Sequence, residues 1–125
     1  MNVPQDNIYI KGDSIDLEFQ LFLDKSTNTY WDLTNHQIRF QINSTPPLKK
    51  ATANVTGGGD DQILITNPLQ GLFTIFIKKT ESNELTPEDY TFEIEITTPS
   101  PENLRYTVLQ SSLRILPDSI EWTDK

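Results

Sequence analysis

Three observations on this sequence predict an all-β fold. Apolar residues recur at every second position in several short segments, polar or Gly/Pro-containing turns separate those segments, and no segment carries three helical turns of apolar period. The chain has 125 residues, 35% hydrophobic and 22% charged. That length suffices for one core and is short for two, so 1–125 is expected to form one domain, its core over about 10–116 with short terminal extensions.

The first clear strand is IDLEFQLFL. Ile15, Leu17, Phe19, Leu21 and Leu23 share one face and Asp16, Glu18 and Gln20 the other, the alternation of a half-buried strand. Phe22 interrupts the polar face and points to a covering loop or a partner on that side. Asp24, Lys25, Ser26, Thr27 and Asn28 make a polar turn. In a second strand Ile38, Phe40 and Ile42 alternate with Gln37, Arg39, Gln41 and Asn43. It is expected to end before Pro46-Pro47, which lack the amide hydrogens a ladder needs.

From 48 to 61 the pattern is weak, with a short edge strand expected around 51–55 and a glycine run, Gly57-Gly58-Gly59, after it. The lysine pairs Lys49-Lys50 and Lys78-Lys79 read as solvated strand or loop ends. Residues 63–66 form a short strand candidate, and Asn67-Pro68-Leu69-Gln70-Gly71 a turn. In LFTIFIKK, Phe73, Ile75 and Ile77 face inward while Leu72 and Phe76 lie on the other face, so this strand is expected to be covered on both sides. A single helical turn is expected over 80–85.

The next strand is the most regular. Tyr90, Phe92, Ile94 and Ile96 face in, and Thr91, Glu93, Glu95 and Thr97 face out. After a turn through Pro99-Ser100-Pro101-Glu102-Asn103 comes a last strand over 105–116, where Val108 and the set Leu109, Leu113 and Ile115 fall on opposite phases. A bulge or burial on both faces accounts for that switch. About seven short strands separated by polar turns predict an immunoglobulin-like antiparallel β-sandwich, with a small barrel as the alternative.

Composition narrows the function classes. Eighteen acidic against ten basic residues give a formal charge of -8, which repels phosphate backbones and anionic lipid heads, so neither a nucleic acid nor a membrane is expected as partner. No run approaches the roughly 20 apolar residues that span a bilayer, and the opening MNVPQDN lacks the basic and apolar stretches of a secretory leader. With no cysteine, stability must come from packing rather than disulfides.

Signs of catalysis are as sparse. Glu93 and Glu95 are a formal carboxylate pair, about 7 Å apart by strand rise, but Thr91 and Thr97 beside them give the profile of a solvated sheet. The single histidine, His36, has no cysteine and no elbow serine to activate. Gly57-Gly58-Gly59-Asp60-Asp61 lacks the Lys-Ser/Thr of a phosphate loop and the regular oxygen spacing of a calcium loop. No enzyme activity, metal or cofactor is expected.

The remaining signals are structural. Asp32 and Thr34 can bond to nearby backbone and fix a corner, with Leu33 plugging the core. Trp31 reads as a lid over the sandwich end or as a stacking platform for a sugar or a partner. Tyr90, after Leu85-Thr86-Pro87-Glu88-Asp89, resembles the tyrosine that closes the corner before strand F of immunoglobulin domains. Trp31, Phe22, Leu72, Phe76, Ile120 and Trp122 are more apolar surface than an isolated monomer needs.

Particular residues go further than periodicity. Gly12-Asp13 before an alternating strand, the polar turn over 24–28, and Asp32-Leu33-Thr34 before a second strand resemble the opening of phage virion immunoglobulin-like domains. The likeness is strongest to the N-terminal domain of upper baseplate proteins in tailed phages of Gram-positive hosts. Gly71, Thr80, Leu85, Pro87 and Tyr90 match the second half of that pattern. Asn35, Glu88-Asp89 and Ser112 depart from it, each standing where the family has glycine.

The resemblance spans roughly 10–116. It implies a non-enzymatic virion domain that joins or spaces other baseplate or tail proteins and positions host-recognition parts, with other virion proteins or a second copy of the chain as partner. The family pattern contains no catalytic residues. Phe22, Trp31, Leu72, Phe76 and Trp122 are then the interface candidates, and Gly12, Asp13, Asp32, Leu33, Thr34 and Tyr90 the turn residues. A carbohydrate-binding or adhesin sandwich is the alternative reading.

Overall fold

The computed structural model describes residues 8–52 and 63–118. Ten strands follow in chain order: β1 (Ile8–Ile10), β2 (Ile15–Gln20), β3 (Phe22–Asp24), β4 (Thr29–Tyr30), β5 (Gln37–Ile42), β6 (Leu48–Ala51), β7 (Ile63–Asn67), β8 (Leu72–Ile77), β9 (Asp89–Thr97) and β10 (Arg105–Leu116). Helix among the described residues is confined to a 3-10 turn, Pro68–Gln70, and one α turn, α1 (Lys79–Ser82). No helix there is long and apolar enough to cross a membrane.

The strands form an all-β sandwich. A five-stranded sheet runs β1-β10-β9-β5-β6, a three-stranded sheet runs β2-β8-β7, and β3-β4 is a separate ribbon. Placing β2, β8 and β7 as strands B, E and D, and β5, β9 and β10 as C, F and G, reproduces the immunoglobulin strand order. The count exceeds seven because β1, β3 and β4 are two- or three-residue pieces. Among the described strands pairing is antiparallel except that β1 lies parallel to β10, and an isolated parallel bridge joins Thr52 to Ile63.

The alternating faces meet between the sheets. Ile15, Leu17, Leu33, Ile38, Phe40, Ile42, Phe73, Ile75, Ile77, Tyr90, Phe92, Ile94, Ile96, Leu113 and Ile115 are buried in one hydrophobic cluster, as expected, and Ile63 and Leu85 join them. Phe19 and Leu21 are partly buried at its margin. The register of β10 against β9 shifts between Thr107 and Leu109, so the bulge that the phase change at Val108 predicts is present.

Three expectations need correction. Leu23 is 66% exposed rather than inward. The chain leaves the β2 ladder at Leu21, whose amide donates to Gly71 O at 2.9 Å, and Phe22 then pairs with Tyr30 in the ribbon; the alternation restarts. The edge strand expected around 51–55 starts earlier, as β6, Leu48–Ala51, which pairs with β5 directly after the proline turn, and residues 53–55 lie outside the described residues.

The third correction is Lys50, which is buried at 2% exposure instead of solvated. It stands opposite inward-facing Phe40 in the β5-β6 register, so the pleat directs it between the sheets. Its ammonium is ion-paired with the Glu81 carboxylate on α1. Glu81 also accepts the Lys78 amide at 2.8 Å, which ties the helical turn to the pair.

The turn at Gly12-Asp13 carries the chain from one sheet to the other. Gly12 has φ of 88°, a backbone conformation open to glycine. Its amide donates to Ser82 Oγ at 3.0 Å, and Ser82 Oγ donates to Asp13 O at 2.7 Å. The fully buried Ser82 thus joins this crossing to α1. The expected strand beyond Thr52, Gly57-Gly58-Gly59-Asp60-Asp61, Ile120 and Trp122 lie outside the described residues.

Candidate protein-binding surface

The corner after β4 is held by short-range bonds. Asp32 Oδ1 accepts the Thr34 amide at 2.9 Å and the Thr34 hydroxyl at 2.6 Å, an Asx turn that frees the next residues to reverse direction. Asn35 then takes φ of 60°, a left-handed conformation that asparagine tolerates where the family pattern has glycine. Leu33 is completely buried, and its amide donates to Pro68 O at 2.8 Å. The corner between strands B and C is therefore fastened to the turn between D and E.

The Thr34 hydroxyl, and then its amide, hold the Asp32 carboxyl below its ordinary value of 3.8, outweighing desolvation. A depressed folded-state value contributes stability above the unfolded pKa and loses it as pH falls through the folded one. Asp32→Asn keeps an acceptor oxygen but cannot ionise. Urea unfolding should show the wild type more stable than this variant near pH 6, with the gap closing as pH drops below 3.8. A gap that stays constant with pH would mean the carboxylate charge contributes nothing.

Gly71 closes the same end from below. Its φ is 66°, and a Cβ at that position would run into the Leu21 carbonyl and lie 3.0 Å from Trp31 O. Both obstacles are backbone, and both strands are anchored, since Trp31 N donates to Leu21 O at 3.0 Å. Gly71→Ala is expected to cost about 1–3 kcal/mol from the left-handed conformation alone, with the clash adding to it. A thermal melt within a degree or so of wild type would disprove this packing.

On this scaffold sits an apolar end. Trp31 Nε1 donates to His36 Nε2 at 3.4 Å, and His36 Nδ1 donates to Thr34 O at 2.9 Å, so the imidazole bridges the indole and the corner. The Trp31 ring meets His36 edge-on with centroids 6.3 Å apart, and Tyr106 of β10 at 6.0 Å and 71°. Trp31 itself is partly buried. The neighbouring turns add Leu69 at 69% exposure and Leu104 at 49%, and the start of β10 adds Tyr106 at 45%. Sequence reading missed these three because each is a lone apolar residue in a turn or on a polar-looking strand start.

The other interface candidates lie elsewhere. Phe22 packs its ring on Tyr30 at 5.2 Å in the β3-β4 ribbon, beside exposed Leu23. Leu72 and Phe76 are partly buried on the outer face of the three-stranded sheet, flanking buried Thr74. The candidates thus occupy three surfaces, the sandwich end, the ribbon and a sheet face, while Trp122 lies outside the described residues.

Tyr90 is engaged in the fold. Its hydroxyl donates to Thr86 O at 2.8 Å, with Thr86 Oγ1 also at 2.8 Å, the bond of a tyrosine corner. The paired carboxylates are engaged too: Glu93 accepts Gln110 Nε2 at 3.3 Å, and Glu95 lies 3.3 Å from Arg105 and 3.8 Å from Arg39. Two shallow recesses on this polar sheet face share Asn43 and Thr91, which bond to each other at 2.9 Å. Among the described residues no three His, Cys, Asp or Glu side chains group as metal ligands.

No protein-family model and no curated protein matches the sequence.

Proposed function

We propose that this chain is a non-enzymatic structural domain of a phage baseplate or tail protein, working in the virion by binding other tail proteins and positioning host-recognition parts. The observation that carries this reading is Trp31 packed on exposed Tyr106 at a corner braced by backbone bonds, with Leu69 and Leu104 exposed in the turns next to it in the strand topology. Exposed aromatic and aliphatic anchors on a rigid support suit a protein interface, where a few such residues dominate affinity. The resemblance of Gly12-Asp13, Asp32-Leu33-Thr34 and the Gly71 to Tyr90 residues to phage virion domains supplies the setting. The charge of -8 favours a basic partner through faster encounter.

Pull-down of tail proteins from disrupted virions, with light scattering for self-association, tests the reading. A virion protein retained by the wild type and lost on Leu69→Asp or Tyr106→Asp, with the circular dichroism unchanged, is the expected result. Specific binding on a glycan array that disappears on Trp31→Ala, with no virion component retained, would replace it with the carbohydrate-binding reading.

A further inference from the structure

A second surface, distinct from the loop end, is the open edge of the three-stranded sheet. β2 pairs with β8 on one side, and among the described residues no strand pairs with its other side. Backbone groups of a strand serve its two neighbours in turn, so half of the N–H and C=O groups over Ile15–Gln20 point away from β8. Two acidic side chains, Asp16 and Glu18, guard this edge against another acidic strand, but the other usual protections are missing. β2 contains no proline and no lysine, and its register with β8 runs from Ile15↔Ile77 to Gln20↔Leu72 without a bulge.

Side chains along that edge define what would fit. Asp16 and Glu18 are exposed on the outer face, and among the described residues neither has a basic partner. Behind them lie Phe76, opposite Asp16, and Leu72, opposite Gln20, with Leu64 at 52% exposure on the next strand. On the inner face Phe19 remains partly buried at the margin of the core. A strand laid against β2 would set every second side chain beside the two carboxylates and the others over Phe19.

We propose that the β2 edge accepts an extended segment of another protein by strand addition, one in which lysine or arginine alternates with apolar residues. The basic side chains meet Asp16 and Glu18, the apolar ones complete the core margin, and the backbone pairs with Ile15–Gln20. A second copy of this chain is the poorer occupant, because two molecules of charge -8 repel. The inference does not rest on the phage reading, which concerns the loop end; failure of a virion pull-down leaves it standing.

The probe is a synthetic peptide of about ten residues alternating lysine and valine, a usual strand length or slightly more. Its control has the same composition with the lysines in one block, hence equal charge without the alternation. The alternating peptide is expected to bind at least about tenfold more tightly than the block peptide, and to slow amide hydrogen exchange within 15–20. Asp16→Lys with Glu18→Lys should abolish that preference, while Glu102→Lys with Glu84→Lys, the same charge change at exposed turn positions, should preserve it. Equal affinity for both peptides, protection outside 15–20, or equal loss in both double variants would each overturn strand addition and leave only general charge attraction.

Discussion

Phe92→Ala is expected to remove about 3–5 kcal/mol of folding free energy, the range for truncating a well-buried phenylalanine. Its ring is 5.5 Å from Phe40 in its own sheet and 6.5 Å from Phe19 in the facing one, and the residue is 3% exposed. The cavity would open between two sheets. Neither can close over it readily, because β9 is laddered on one side to β5 and on the other to β10. Domains of this size have about 5–15 kcal/mol in total, so the variant should sit near its unfolding threshold. Urea titration should show a lower midpoint at unchanged slope. Phe19→Ala should cost clearly less, since Phe19 is only partly buried; equal losses at the two positions would contradict this account of the core.

Glu81→Ala is the second large effect, expected at about 3 kcal/mol, the lower end for breaking a buried ion pair. The lower end applies because the Glu81 side chain is 27% exposed while that of Lys50 is fully enclosed. Removing the carboxylate leaves an ammonium in the core without a partner. Lys50→Met deletes the enclosed charge, keeps a flexible apolar stem of similar length and strands only Glu81, whose side chain is 27% exposed and keeps contact with water, so it should cost clearly less than Glu81→Ala. The difference between the two losses is the test, read by chemical denaturation of both variants; a Lys50→Met loss as large as that of Glu81→Ala would contradict the asymmetry in burial. Partial burial raises the Glu81 pKa, but the Lys50 hydrogen bond, the Lys78 amide and the charges of both lysines outweigh it and bring it below its ordinary value. By the linkage applied to Asp32, the pair's contribution is fully present above the ordinary carboxylate range and fades as pH falls through the lowered value.

Much of the fold was legible locally. Phe73, Ile75 and Ile77, or Tyr90, Phe92, Ile94 and Ile96, declare an inner face because side chains in a strand alternate whatever the neighbours are. The Asp32-Thr34 bonds, the Tyr90 corner and the bulge near Val108 were legible for the same reason: each depends on residues within a few positions of one another or on a slip in phase.

Tertiary structure decided what depends on residues far apart in the chain. Which strand borders which is set by connection and packing, and only that placed β1 parallel to β10 and left β2 at an edge among the described strands. Leu23 turned outward because Leu21 bonds to Gly71, some fifty positions on. Lys50 turned inward because pairing with β5 set its phase and α1 brought Glu81 to meet it. Trp31, Leu69 and Leu104 lie in three separate connections and Tyr106 at the start of β10, so no window of sequence contains all four. Alternation is a property of one strand and can be read there, whereas an edge, an enclosed charge and a shared apolar end exist only once strands have chosen their neighbours.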